Sequence, residues 1–156
     1  MLVLVIDNIK KCSPSKQTYM PLTAITTGLP YDVTSQLMAG EQVYYFSFIA
    51  FSGGCAGKGP KENYWLAMTD RRVMYKTKVS ELKGKIQNFV EKDGDLPFDK
   101  ISFIEVSEGQ DNSGCSGAKA FQLRISTSGG TIAIPIPTKE KGYEIRKTYS
   151  ELSHKG

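Results

Sequence analysis

Two glycine-rich loops of similar composition hold most of the residues in this sequence that could do chemistry. Each loop places a cysteine among glycines and a lysine shortly after it: Cys55 and Lys58 in SGGCAGKG, and Cys115 and Lys119 in NSGCSGAK. Lysine ammonium groups and the backbone N–H groups of a glycine-rich turn both attract anions. One interpretation is therefore that these loops bind an anion or a lipid headgroup.

Other roles for the loops stay open. Glycine-rich connections most often have no specific role, and a disulfide or a metal contact between Cys55 and Cys115 is a further alternative. The third cysteine, Cys12, is far from both, and no CxxC pair occurs, so neither a disulfide framework nor a zinc ribbon follows. A nucleotide-type phosphate loop is excluded because neither Ser nor Thr follows Lys58.

The sequence shows no set of residues suited to acid–base or nucleophilic catalysis. The single histidine, His154, lies two residues from the end of the chain, where a base is difficult to hold rigidly. Asp93 and Asp95 flank Gly94 in a predicted turn and are expected to be solvated. We therefore expect no enzymatic activity and no cofactor.

A second group of basic residues lies in the middle of the chain. Lys76 and Lys78 alternate on one face of a predicted strand, and further lysines follow it. Together they predict a basic rim that binds anionic membrane weakly, with a solvated lysine face as the alternative. The rim would consist of Lys58, Lys61, Lys76, Lys78, Lys83 and Lys85.

Length, composition and charge limit the class of protein. With 156 residues, 40% hydrophobic and 23% charged, the chain predicts one globular domain. The apolar run Met1–Ile6 is too short to span a membrane and lacks the features of a signal peptide. The net charge of +4 comes from sixteen lysines and only four arginines, which argues against a nucleic-acid partner. We expect a cytoplasmic protein, with peripheral membrane association as an option.

The hydrophobic pattern predicts a strand-rich domain that ends in a helix. Residues 1–36 suggest an extended arm and the start of a brief helix at 34–38, while 37–156 suggest the domain. Strands are predicted before and after two turns, 92–95 and 128–130, and Pro135 is predicted on a sheet edge or at a bulge. The predicted strands cover 43–51, 63–69, 73–79, 98–106, 121–126 and 132–136.

Specific predictions can also be made for the C-terminal segment, for residues 80–90 and for Trp65. Gly142, Ile145, Tyr149 and Leu152 recur at helical spacing after Thr138, a candidate N-cap. Residues 80–90 suggest either a short helix or an extra strand, and as the longest interruption between strands they are a candidate partner-binding insertion. Trp65 is predicted in the core, on the face opposite to its two neighbours.

The order of these elements resembles bacterial pleckstrin-homology and GRAM-like domains. The resemblance depends on AGEQV at 39–43, LAMTDRRVMY at 66–75, and LPFDKI at 96–101 with IEV at 104–106. It implies a bent antiparallel sheet or partial barrel of about seven strands, capped by a C-terminal helix, without enzymatic activity. It also implies that loops bind lipid headgroups, peptides or partner domains. By the same resemblance the two glycine-rich loops lie at one end of the domain, where Lys58, Lys61 and Lys119 could converge on one anion. The basic residues of the family's usual headgroup pocket are missing around Ala50–Phe51 and Asn63–Trp65.

The sequence as a whole predicts a noncatalytic binding module, acting by protein–protein contact or by weak association with anionic membrane lipid. The main alternative is a structural self-assembly domain that forms a homo-oligomer through a strand edge or the N-terminal arm. A cysteine-dependent enzyme is the least favoured alternative.

Overall fold

The computed structural model describes residues 21–49, 63–110 and 119–154, and these form two antiparallel sheets with a C-terminal helix. The described elements are α1 (Tyr31–Thr34), β1 (Val43–Phe48), β2 (Trp65–Thr69), β3 (Arg72–Lys83), β4 (Ile86–Pro97), a 3-10 turn (Phe98–Lys100), β5 (Ile101–Gln110), β6 (Lys119–Thr127), β7 (Gly130–Ile136) and α2 (Lys139–Ser153). The sheet orders are β1-β2-β3-β4 and β5-β6-β7. The predicted mainly-β class with a C-terminal helix is confirmed, and the two sheets are not closed into a barrel.

Strand β2 is buried on both faces of the first sheet. Leu66 and Met68 pack in the main core, whereas Trp65 and Ala67 pack in a second cluster on the opposite face. The core position of Trp65, which is 1% exposed, is confirmed. Its neighbours Tyr64 and Leu66 face the opposite side and are buried as well, because both sides of β2 are covered.

The second cluster is covered by residues that precede the sheet. Val33 of α1 is fully buried there, with Ile25, Leu29 and Leu37 packed around it. The backbone N–H of Ile25 also donates to the carbonyl of Val43, at 2.7 Å. Residues 25–36, predicted as part of an arm, therefore pack against the first sheet.

Helix α2 covers the second sheet. Thr138 caps its first turn by accepting a hydrogen bond from the Lys141 N–H at 3.2 Å, as predicted. Ile145 and Leu152 are buried in the main core. Tyr45 of β1 ties the helix to the first sheet, because its hydroxyl donates to Glu144 Oε1 at 2.8 Å.

The cleanest sequence patterns gave correct elements. β6 and β7 pair from Thr127 and Gly130 outward, which confirms the tight turn at 128–130. Pro135 lies on β7, an edge strand of the second sheet, where a residue without an N–H is tolerated.

Three local predictions are wrong. The short helix covers Tyr31–Thr34, not 34–38, because the N–H groups of Gln36 and Leu37 bond to carbonyls three residues back, so the chain continues as turns. The predicted turn at 92–95 lies inside β4, where Gly94 is opposite Tyr75. The strand predicted from residue 98 begins at Ile101, after the 3-10 turn. For residues 80–90 the strand alternative is confirmed, since they form the end of the β3–β4 hairpin.

We expect Gly142→Ala to lower the free energy of unfolding by about 1–2 kcal/mol. A Cβ at this position would lie 2.7 Å from Ile136 Cδ1 and 2.8 Å from Val106 Cγ2, so the helix or the sheet must shift. That cost outweighs the gain of about 1 kcal/mol that alanine brings to a helix interior. Denaturant unfolding followed by circular dichroism measures the difference.

Gly109→Ala is the matched control, because no atom lies within 4 Å of its added Cβ. It should leave stability unchanged or higher. If Gly142→Ala were as stable as the unaltered protein, or more stable, this would contradict the close packing of α2 on the sheet.

Candidate functional site

Most of the predicted loop site lies outside the described residues. Lys58, Lys61, Cys55 and Cys115 are not among them, and Lys119 is described only as the first residue of β6. Their approach to one another therefore stays a prediction. Of the predicted basic rim, Lys76, Lys78 and Lys83 lie on β3, and Lys85 lies in the turn that follows it.

Lys76 is engaged in a local ion pair. Its Nζ lies 3.2 Å from Asp32 Oδ2 of α1, and only 27% of its side chain is exposed. The hydrogen bond from Lys76 to Asp32 raises the pKa of the lysine despite partial burial. Lys76 thus links α1 to the sheet, and Asp32 offsets its charge, so it contributes little to a basic surface.

Lys78 lies farther along β3 and is half-buried. Its Nζ lies 5.9 Å from the centroid of the Phe89 ring on the neighbouring strand β4. At this distance the ammonium contacts the π face of the ring. The pair marks the start of the outer part of the β3–β4 hairpin.

The outer part of this hairpin is the most distinctive surface of the described residues. β2 pairs with β3 only at 73–76 in the described ranges, whereas β3 pairs with β4 as far as Lys83 and Ile86. Gly84 closes the turn with φ of +66°, a conformation that favours glycine. Exposed side chains surround the turn: Lys83, Lys85, Ile86, Asn88 and Phe89. We call residues 78–92 the distal hairpin.

The distal hairpin carries a positive charge. It contains four lysines and two glutamates. Glu81 is paired with Lys92 at 2.8 Å, and the hydrogen bond from Lys92 lowers the pKa of Glu81. Glu91 accepts a hydrogen bond from the Tyr64 hydroxyl at 3.1 Å. Lys83 and Lys85 therefore place the unbalanced positive charge at the turn.

A buried ion pair fixes the base of this hairpin. The guanidinium of Arg72 donates to both carboxylate oxygens of Glu41, at 2.9 and 3.0 Å, and to Asp95 Oδ2 at 3.2 Å. Glu41 also accepts from Thr69 Oγ1 and from the Met38 N–H, both at 2.8 Å. This network joins the segment before β1 to β2, β3 and β4.

The network holds an ionised carboxylate away from water. The Glu41 side chain has no exposed surface. Burial would raise the pKa of Glu41, but the hydrogen bonds from Arg72, Met38 and Thr69 outweigh burial and hold the pKa below its usual value. Glu41 and Arg72 lie in separate sequence motifs, and no local pattern indicates that they contact each other.

An open cleft of about 770 Å³ lies near the end of α2. It is lined by Tyr44, Asp70, Arg71, Phe98, Asp99, Leu152 and Ser153. The lining combines two aromatic rings with two carboxylates and one guanidinium. Sequence reasoning missed this cleft because its lining comes from distant parts of the chain that no local pattern connects.

The described residues offer no arrangement typical of a metal centre. Residues 21–49, 63–110 and 119–154 contain no group of three or more His, Cys, Asp and Glu side chains placed to hold a metal ion. His154 follows α2, and its Nδ1 contacts the carbonyl of Ser150. In the same ranges, none of the helices combines the length and the apolar character needed to cross a membrane.

Comparison with known proteins adds no relative. A scan against protein-family models gave no match, and a search of curated protein sequences gave none either.

We expect Glu41→Gln to lower the free energy of unfolding at neutral pH by about 2–4 kcal/mol, because Arg72 would lose its buried counter-ion and keep only the half-exposed Asp95. The folded-state pKa of Glu41 is depressed. Its stabilisation is therefore complete above the unfolded-state value of about 4.3 and is lost as the pH falls through the folded-state value. Denaturant unfolding should show that the difference in free energy of unfolding between the unaltered protein and Glu41→Gln becomes smaller as the pH falls through this acidic range.

Glu140→Gln is the control, since Glu140 is an exposed carboxylate at the start of α2. It should change stability by less than about 0.5 kcal/mol. A Glu41→Gln protein as stable as this control at neutral pH would show that the ion pair contributes nothing.

Proposed function

We propose that this protein is a noncatalytic binding module that attaches weakly to anionic membrane surfaces through its distal hairpin. The observation that carries the proposal is the placement of Lys83 and Lys85, both exposed, at the end of a long two-stranded ribbon. The arrangement of two antiparallel sheets with a closing helix supports the proposed kinship with pleckstrin-homology-like domains.

The charge of the ribbon suits a surface of acidic lipids. A lysine close to an anionic membrane contributes about 1 kcal/mol, and the effect falls off within a Debye length of about 10 Å at moderate salt. Lys83 and Lys85 lie next to the turn, so both can come that close at once. Lys58 and Lys61 remain proposed contributors to the same basic rim, and Lys119 remains a proposed contributor to the loop site.

Contact with a protein partner is the other form of this binding function. An acidic protein surface would also attract the lysines, but it needs a matching shape for specific affinity. The two forms differ in their response to plain lipid vesicles, which present charge without a protein surface.

The protein should cosediment with vesicles made of phosphatidylcholine and phosphatidylserine in equal parts at low salt, and not with vesicles of phosphatidylcholine alone. The double substitution Lys83→Glu and Lys85→Glu should weaken the association about tenfold or more. Each lysine attracts the anionic membrane by about 1 kcal/mol, and glutamate at the same position repels it. Sedimentation at several lipid concentrations gives the partition coefficient.

Lys100→Glu with Lys147→Glu makes the matched control. It alters the net charge equally at two exposed positions in the 3-10 turn and on α2. If both double variants weakened vesicle association equally, the effect would be due to net charge and not to the distal hairpin. Absence of any cosedimentation at low salt would reject the membrane form and leave protein contact.

Self-assembly is a second candidate, supported by Phe103, which is 55% exposed on the edge strand β5. The β4 edge suits this role less well, because antiparallel pairing of two copies centred on Lys92 would place Lys92 opposite itself and Glu91 opposite Asp93. Light scattering at rising protein concentration tests this candidate. Phe103→Ser should abolish any dimer, whereas a monomer throughout would exclude the candidate.

A further inference from the structure

Two exposed apolar side chains on the distal hairpin are not explained by charge. Ile86 is 67% exposed and Phe89 is 46% exposed. Exposed large apolar side chains that are concentrated at one end of a ribbon often mark an interaction site. The lysine surface of the proposed function would work without them.

The lysines lie next to these apolar groups. Ile86 follows Lys85 directly and lies opposite Lys83 in the strand pairing. Phe89 lies three residues farther from the turn, with the Lys78 ammonium over its ring. At about 3.3 Å per residue, Phe89 is roughly 10 Å from Ile86 along the strand.

The apolar groups lie on opposite faces of the ribbon. Side chains alternate along a strand, so residues 86 and 89 point to different sides. A docking surface for a folded protein would gather its apolar groups on one side. Exposure on both sides suits a medium that surrounds the ribbon, as the interfacial layer of a bilayer does.

We propose that the end of the distal hairpin inserts into the interfacial layer of an anionic bilayer, with Ile86 as the deeper residue and Phe89 as the shallower one. Lys83 and Lys85 extend their ammonium groups sideways to the acidic headgroups while their methylene chains stay among apolar groups. The inference rests on the proposed membrane attachment and adds penetration to it.

Single tryptophans placed along the ribbon test this depth order. Ile86→Trp and Phe89→Trp report from the two positions, and Phe103→Trp is the matched control at an exposed apolar site on the other sheet. The native Trp65 is 1% exposed and supplies a constant background. Each protein is mixed with phosphatidylcholine–phosphatidylserine vesicles, with and without bromine on the acyl chains.

The expected result is a blue shift of fluorescence and quenching by brominated lipid that are largest at position 86, smaller at 89 and absent at 103. In cosedimentation, Ile86→Ser with Phe89→Ser should weaken association about tenfold or more, whereas Phe103→Ser should not. Circular dichroism of each variant checks that the fold is retained.

Three results would overturn the inference. Association of the unaltered protein without any shift at position 86 would mean attachment by charge alone, which leaves the proposed function intact. Equal quenching at 86 and 103 would mean general penetration or unfolding on the lipid. Absence of vesicle association at low salt would reject both insertion and the membrane form of the proposed function.

Discussion

The ion pair between Arg72 and Glu41 is the interaction on which the arrangement of the first sheet depends. Through it, one guanidinium holds the segment before β1, the corner between β2 and β3, and Asp95 near the end of β4. A buried charge pair gives little net stability when compared with apolar packing, but it strongly penalises structures that separate the two charges. Its effect is therefore to disfavour arrangements that separate the segment before β1 from the corner between β2 and β3, from which the β3–β4 hairpin extends.

Coverage of the first sheet on both faces follows from the same anchoring. The Gln36 carbonyl is bound by Arg72, so the chain leaves α1 in a direction that keeps Val33 and Leu37 over Trp65. Lys76 completes this contact through Asp32. Lys76, on the covered part of β3, therefore has a structural role. The exposed lysines, Lys83 and Lys85, lie beyond it on the distal hairpin.

The distal hairpin combines features that are costly unless they serve binding. Among the described residues this ribbon is paired only within itself, and such a ribbon has few contacts to stabilise it. Exposed Ile86 and Phe89 add apolar surface in contact with water. Lysines around the turn keep such a ribbon soluble and discourage pairing between edges. This combination of charge and apolar surface is the basis of the proposed attachment to an anionic membrane.

Local pattern in the sequence was enough to determine β6, β7, α2 and the turn between the two strands, because alternation and helical spacing are properties of neighbouring residues. Long-range contacts decided the rest. Gly94 lies in a strand although Asp-Gly-Asp favours a turn, since the Tyr75 side chain occupies the space where a Cβ would lie, with its hydroxyl oxygen 2.9 Å from that position. Lys76, which was predicted to bind an anion or a lipid headgroup, is paired with Asp32, and Glu41 is paired with Arg72. No local window contains both members of such pairs, so only the tertiary structure separates the lysines that hold the fold from those left at its surface.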